Sequence, residues 1–325
     1  MINIIGKINK DNYREFTNSD FFGYEVFLAS EEDFHYLPDM ISKLNIVSVH
    51  QPSRNFNLCN EGQQGEGSFR LLERLLSILD NNNFKGVLVV HGAYFDELSS
   101  QRDKHLEIMA KRIDILSENF ANIKISLEND VWFLNQIKKR RALLAEPKDF
   151  FDLREKMTSH LYITLDFEHM WISSIFSSFF KENESFCVQV NDTSDLNKPE
   201  VILAKKTWFT FIENNKNNLE KLVSKNIKEY HELQSSIVNF HLNGSNMFNY
   251  WFDEKIFIPY LGEHLCIQEE DDNINYNLIR ENLDKLTKQK DINIVLEIWP
   301  REKSRYVVEL KKSGNLAREI FKNIK

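Results

Sequence analysis

The sequence contains little cysteine and little glycine, and both scarcities narrow the kinds of protein that it encodes. The three cysteines, Cys59, Cys187 and Cys266, are far apart and form no CxxC pair. This spacing argues against a disulfide framework and against a thiolate zinc site. The 10 glycines among 325 residues form no Gly-rich loop of the kind that cradles phosphate groups. Phenylalanine, with 25 copies, instead favours a well-filled core.

Long apolar runs and an excess of basic charge are also missing. No apolar run approaches the roughly 20 residues that span a bilayer, and residues 1–6 give way to charged residues too soon for a signal peptide. We therefore expect a cytoplasmic protein with no membrane partner. The formal net charge of −8 argues against nucleic acid as a partner, because proteins that grip nucleic acid usually carry a basic face.

Short runs rich in Val, Ile and Leu recur along the chain, separated by amphipathic stretches with helical spacing. There are eight of them: Asn3–Gly6, Tyr24–Ala29, Ile46–His50, Gly86–His91, Ile123–Glu128, Leu161–Asp166, Ile237–His241 and Ile292–Glu297. Such runs are typical of strands buried on both faces of a parallel sheet. The alternation predicts an α/β protein, and eight strands favour closure into a (β/α)8 TIM barrel over an open doubly wound sheet. We expect one domain over residues 1–325.

One connection is about twice the usual length, and it lies between the sixth and seventh predicted strands. We interpret residues 172–234 as an insertion on the barrel that forms a lid or an interface. Phe176, Phe179 and Phe180 follow the sixth strand and are candidates for the interface of a homo-oligomer. Core packing of an ordinary helix is the competing interpretation of these three residues.

Six of the apolar runs end in a residue that can bind a metal ion. These residues are His50, His91, Glu128, Asp166, His241 and Glu297. The corresponding strand ends of an α/β barrel meet at one rim, where the active site lies. His169, three residues beyond Asp166, can face the same cavity and is a seventh candidate ligand. A mixed set of histidines and carboxylates suits Zn²⁺, Mn²⁺, Fe²⁺ or Co²⁺, so we predict a site for one or two divalent ions.

Each of these residues also has an ordinary structural interpretation. A single histidine at the end of an apolar run is more often a hydrogen-bonded core residue than a ligand. A carboxylate at a strand end often caps the next helix or faces solvent. Six coincidences at equivalent positions are far less expected than one, and several desolvated carboxylates without a cation would be costly. The convergence therefore favours a metal site.

The order His, His, Glu, Asp-x-x-His, His, Glu at successive strand ends resembles the xylose-isomerase-like barrel superfamily. That superfamily contains sugar and sugar-phosphate isomerases and epimerases, and endonuclease IV. The resemblance covers nearly the whole chain. It implies one divalent metal ion held by Glu128, Asp166, His241 and Glu297, and an acid/base pair formed by the two glutamates. It also implies that His169 contacts substrate oxygens.

The endonuclease IV branch implies a second metal site, in which His50 and His91 join Glu128. The segment His241-Leu-Asn-Gly-Ser245 is similar to the HLNDS motif of that branch, with Gly244 in place of Asp.

A further segment, Leu261-Gly-Glu263, is similar to the LGEG motif of endonuclease IV, with His264 in place of the second glycine. The Asp-x-His of that enzyme's third metal site reads Ile256 and Ile258 here. This departure argues against nuclease activity at abasic sites.

The leading hypothesis is a divalent-metal-dependent isomerase, epimerase or related lyase that acts on a small sugar, polyol or keto-sugar. Glu128, Glu297 and His169 are its predicted catalytic residues. The predicted substrate-binding residues are His50, His91, Asn243, Glu263 and His264. The alternatives are an endonuclease IV-like phosphodiesterase, a two-metal hydrolase or oxidase on the same barrel, and a barrel that keeps the ligands for stability and binds a partner without catalysis.

Overall fold

A computed structural model of the chain shows a closed parallel barrel. It describes residues 1–52, 56–92, 94–96, 101–131, 140–190, 199–246, 264–268, 272–300 and 302–322. Within these residues there are ten strands: β1 (Ile2–Ile8), β2 (Gly23–Phe27), β3 (Ile46–His50), β4 (Val87–His91), β5 (Tyr94–Asp96), β6 (Lys124–Glu128), β7 (Arg140–Ala142), β8 (Tyr162–Asp166), β9 (Ile237–Leu242) and β10 (Ile292–Leu296).

Eight of these strands form the barrel, in the spatial order β1, β2, β3, β4, β6, β8, β9 and β10, and β10 pairs with β1 to close it. Every neighbouring pair in the barrel is parallel. The predicted (β/α)8 architecture is thus confirmed. The three-residue strands β5 and β7 form a separate antiparallel pair, which the sequence did not predict.

Helices link the barrel strands and cover their outer faces. They are α1 (Leu37–Lys43), α2 (Gln63–Asn81), α3 (Arg102–Asn119), α4 (Pro147–Arg154), α5 (Phe167–Val190), α6 (Pro199–Asn215), α7 (Leu219–Tyr230), α8 (Tyr276–Leu286) and α9 (Tyr306–Phe321). Each amphipathic face turns inward because its apolar residues recur at helical spacing. In α2, for example, Leu72, Leu75, Leu76 and Leu79 are fully buried. No helix among the described residues is long and apolar enough to cross a membrane.

The long connection between β8 and β9, the sixth and seventh barrel strands, contains α5, α6 and α7. Helix α5 follows β8 directly and is kinked at Asn183. Phe176 and Phe179 are buried against Trp208 of α6, with ring centroids 4.8 and 5.1 Å away. These two rings are therefore core residues. The interpretation of residues 172–234 as an insertion and the homo-oligomer both stay predictions.

Polar side chains lie between the strands where a barrel of this type usually holds Val, Ile and Leu. Ser126 and Thr164 are linked by a 2.8 Å hydrogen bond between their hydroxyl groups. Ser48 donates a 2.8 Å hydrogen bond to Glu25. Three of these four residues lie on β3, β6 and β8, which end in predicted metal ligands, and Glu25 lies on β2.

Candidate metal centre

The barrel brings the six strand-end residues to one rim. His50, His91, Glu128 and Asp166 are the last residues of β3, β4, β6 and β8; His241 is the penultimate residue of β9, and Glu297 directly follows β10. The strand register places His91 beside Glu128 and Asp166 beside His241. Parallel pairing therefore produces the convergence that the strand-end pattern predicts.

Four of these residues surround one point. Glu128, Asp166, His241 and Glu297 each offer a ligand atom, and these atoms lie within 4.8 Å of one another. The Nδ1 atom of His241 is 2.9 Å from Glu128 Oε1, 2.8 Å from Glu297 Oε2 and 3.9 Å from Asp166 Oδ2. All four side chains are buried.

The carboxylate oxygens around His241 Nδ1 outnumber the hydrogens that this nitrogen can donate. A protonated Nδ1 carries one hydrogen, and it can serve only one of the three carboxylates around it. Among the described residues, Glu128 Oε2, Asp166 Oδ2 and Glu297 Oε2 are buried and receive no hydrogen bond. A buried anionic oxygen without a partner is costly. A divalent cation would satisfy all three oxygens and His241 together, so the four residues fit such an ion.

The charges around the centre are strongly coupled. Burial alone would raise the pKa of Glu128, but His241 and His91 lower it well below its usual range. Burial would likewise raise the pKa of Glu297, which Lys7 and His241 hold well below its usual range. Asp166 differs, because burial raises its pKa to about 6. The two glutamates are thus held as carboxylates, the form that binds cations and accepts protons.

A second cluster shares Glu128. His50, His91 and Glu128 also offer ligand atoms that lie within 4.8 Å of one another. The Nε2 atoms of the two histidines are 3.0 Å apart, and they lie 3.3 and 3.5 Å from Glu128 Oε2. The Nδ1 atom of His50 is 2.8 Å from the carbonyl oxygen of Gln51, to which it donates, so Nε2 is the nitrogen that faces the cluster.

His169 lies beside the centre. Its backbone N–H donates to Asp166 Oδ1 at 2.7 Å, and its ring Nδ1–H donates to the carbonyl oxygen of Asn129 at 2.8 Å. Asn129 also holds the backbone of Asp166 through two hydrogen bonds. The Nδ1 atom of His169 is 3.9 Å from Glu128 Oε1. Among the described residues, His169 is not in either group of side chains whose ligand atoms lie within 4.8 Å of one another, and its predicted roles as a ligand and as a substrate contact both stay predictions.

Asn243 and His264 lie together beyond His169. Asn243 Nδ2 donates to His264 Nδ1 at 2.6 Å, and the His264 backbone N–H donates to Glu168 at 2.9 Å. Burial lowers the pKa of His264 to about 3, so its ring is neutral. The His264 ring lies 5.9 Å from that of His169. The predicted substrate-binding roles of Asn243 and His264 stay predictions.

Part of the predicted site lies outside the described residues. Glu263, the third predicted residue of this group, falls there, as do Leu261, Gly262, Ile256 and Ile258. Their predicted roles stay predictions.

Gly244 shows why the HLNDS-like segment departs from its motif. A Cβ atom at this position would lie 2.8 Å from Asp272 Oδ2 and 2.8 Å from the carbonyl oxygen of Cys266. Asp272 accepts hydrogen bonds from the backbone N–H groups of Ser245, Gln268 and Ile274. In this chain a carboxylate from outside the segment therefore occupies the space beside position 244.

Two buried charged residues at the centre were missed by the sequence reasoning. Lys7 lies on β1 and Glu25 on β2, with side chains 4% and 0% exposed. The predicted first strand ended at Gly6, one residue too early to include Lys7. Their sequence signal is a charged residue within a strand, but the sequence does not show whether such a charge faces the barrel interior.

Solved structures with the same fold extend over nearly the whole chain. A D-tagatose 3-epimerase-like protein is 17% identical, with a TM-score of 0.59, and the match covers 98% of this chain and 97% of that one. D-allulose 3-epimerase from Methylomonas sp. is 10% identical, with a TM-score of 0.61 and 98% coverage of both chains. The IOLI protein with a bound zinc atom is 10% identical, with a TM-score of 0.54, and the match covers 98% of this chain and 96% of that one.

No family model and no curated protein matches the sequence. At these low identities the structural likenesses establish the fold. These structures share the closed parallel barrel of this chain.

Proposed function

We propose that the chain is a divalent-metal-dependent isomerase or epimerase of a small keto-sugar or polyol. The observation that carries this proposal is the position of the two glutamates. Glu128 and Glu297 each lie within 3 Å of the same nitrogen of His241, one on β6 and the other at the end of β10. Two carboxylates held this close to a cation site are suited to exchange a proton with a bound substrate.

The chemistry follows from these groups. A divalent ion bound by the four ligands would polarise a substrate carbonyl and make the neighbouring C–H more acidic. One glutamate then removes the proton from that carbon. The other, when it carries a proton, returns one to the opposite face, which inverts the carbon. In this proposal Asn243 and His264 hydrogen-bond substrate hydroxyls, which the neutral ring of His264 and its contact with Asn243 support.

A substrate without phosphate is favoured. The sequence has no Gly-rich loop to bind a phosphate group. Lys7, the cation beside Glu297, is already paired with two carboxylates. Three of the structural neighbours are 3-epimerases named for D-psicose, D-allulose or L-ribulose, all small sugars without phosphate.

The proposal is tested by solvent exchange in D₂O. The Mn²⁺-loaded protein is incubated with D-fructose, D-tagatose and D-psicose, and deuterium at the carbon next to the carbonyl is followed by NMR. We expect exchange with at least one ketose, and a loss of about 10²- to 10⁴-fold in Glu297→Gln. Glu229→Gln, an exposed change on α7, is the matched control and should retain full exchange. Undiminished exchange in Glu297→Gln would refute the proton-transfer role.

The second cluster supports a second candidate function. His50 and His91 complete a second set of ligands around Glu128, and two ions bridged by a carboxylate suit phosphodiester hydrolysis or, with iron, oxidation. The net charge of −8 disfavours a nucleic-acid substrate. Cleavage of an abasic DNA duplex by the metal-loaded protein, abolished in His91→Ala, would favour this candidate over the isomerase.

A further inference from the structure

The first two barrel strands place opposite charges next to the metal centre. Neither β1 nor β2 ends in one of the predicted ligands, yet Lys7 and Glu25 point a buried ammonium and a buried carboxylate toward it. Lys7 Nζ lies 3.1 Å from Glu25 Oε1. The two residues therefore form a buried ion pair between the neighbouring strands.

Each member of this pair also contacts a different metal ligand. Glu25 Oε2 is 3.2 Å from His241 Nε2, the ring nitrogen on the side away from the other carboxylates. Lys7 Nζ is 2.6 Å from Glu297 Oε1, while the other oxygen of Glu297 faces His241 Nδ1. The ion pair thus contacts the outer atom of each ligand, and the inner atom is left for the cation.

We infer that Lys7 and Glu25 are positioning residues, which together fix the orientation of His241 and Glu297 at the metal centre. A carboxylate on the outer nitrogen of a ligating histidine sets its tautomer and ring angle. An ammonium on the outer oxygen of a ligating carboxylate selects which oxygen turns inward. Ser48 holds Glu25 Oε2 by a 2.8 Å hydrogen bond, and the Phe27 ring lies 5.7 Å from Lys7 Nζ.

Stability alone does not account for this ion pair. Two charges lose their hydration when they are buried, and apolar side chains of the same size often stabilise a fold equally well or better. A positive charge near a cation site also weakens cation binding by direct repulsion. For Lys7 to favour cation binding, the orientation that it gives to Glu297 must outweigh that repulsion.

The inference rests on the part of the proposed function that assigns the four ligands to a divalent ion. It does not depend on the substrate, so metal affinity measured without substrate tests it separately. If the protein shows no epimerase activity, the metal affinity still tests the inference. If the inference is wrong, the proposed four-ligand site is unaffected.

The test is a double variant, Lys7→Met with Glu25→Gln, which removes both charges and leaves the net charge of the site unchanged. Zn²⁺ and Mn²⁺ affinities are measured by isothermal titration calorimetry. We expect binding weakened by about 10- to 100-fold. The control double variant, Lys311→Met with Asp20→Asn, removes a 2.9 Å ion pair that includes no predicted ligand and should leave affinity unchanged.

Two further readouts separate positioning from a structural role. The first is steady-state kinetics of the double variant at saturating metal, with a ketose that the native protein turns over. We expect kcat to fall by a larger factor than KM changes. Ser48→Ala, which removes one hydrogen bond to Glu25 without changing any charge, should weaken metal binding by about threefold to tenfold. This variant keeps the test valid if the double variant does not fold. Unchanged or tighter metal binding in the folded variants would overturn the inference.

Discussion

A single substitution at His169 can separate its two predicted roles, metal ligand and substrate contact. Its Nδ1–H donates to the carbonyl oxygen of Asn129, and it is not among the four side chains whose ligand atoms lie within 4.8 Å of one another. We expect His169→Ala to retain its metal content and to lose about 10²-fold or more in turnover, because a group that assists proton transfer is removed. Metal analysis and steady-state kinetics on the same sample check this. Loss of the metal would instead make His169 a ligand.

The sequence reveals the strand-end residues but not their supporting partners. Six ligand candidates could be predicted because each ends an apolar run, and parallel strands bring such ends together. Lys7 and Glu25 lie inside their strands, where the sequence alone does not distinguish an inward-facing charge from an exposed one. Asn129 contributes through its backbone carbonyl as well as its side chain, and a sequence pattern does not indicate such a contact.

The alternation of strands and helices was predictable at the scale of the element. Apolar runs with little alternation predicted the barrel strands, and the amphipathic stretches between them predicted helices. The apolar faces of α2, α3 and α8 are buried, as that spacing predicts. Strands β5 and β7 were missed because each has three residues. A sequence pattern of three residues does not distinguish a strand from a loop. The two strands form through their contact with each other.

A carboxylate on α3 anchors the loop that leads into β8. Asp114 accepts four hydrogen bonds, from the backbone N–H and the hydroxyl of both Thr158 and Ser159. We expect Asp114→Asn to lower the free energy of unfolding by about 1–3 kcal/mol, because an amide cannot accept all four bonds. Chemical denaturation measures this. The exposed Asp80→Asn is the control, with a change within about 0.5 kcal/mol.

The stabilisation by Asp114 depends on pH. Burial would raise the pKa of Asp114, but the hydrogen bonds from Ser159 and Thr158 lower it below its usual value. A carboxyl group with a lowered pKa in the folded state stabilises fully above its unfolded pKa of about 3.9, and this contribution is lost as the pH falls through the folded value. The difference between the native chain and Asp114→Asn should therefore shrink in acid. A constant difference from neutral pH to about pH 3 would contradict this explanation.

In the whole molecule, closure of the barrel determines which residues meet at the centre. The four candidate ligands are separated by up to 169 positions along the chain, from Glu128 to Glu297, yet their ligand atoms lie within 4.8 Å of one another. The fold and the convergence of these residues could be predicted because both follow from strand order. The substrate could not, because substrate choice in such barrels depends on loops whose sequences follow no general pattern.

The metal content of the freshly purified protein tests the central claim most directly. Glu128→Gln and the control Glu229→Gln are purified and analysed beside the native chain, before and after reconstitution with Mn²⁺, Co²⁺ or Zn²⁺. The four-ligand centre predicts about one ion per chain in the native protein and the control, and its loss in Glu128→Gln. Two ions per chain would shift the account to the centre that includes His50 and His91. No bound ion in the native protein after reconstitution would contradict it.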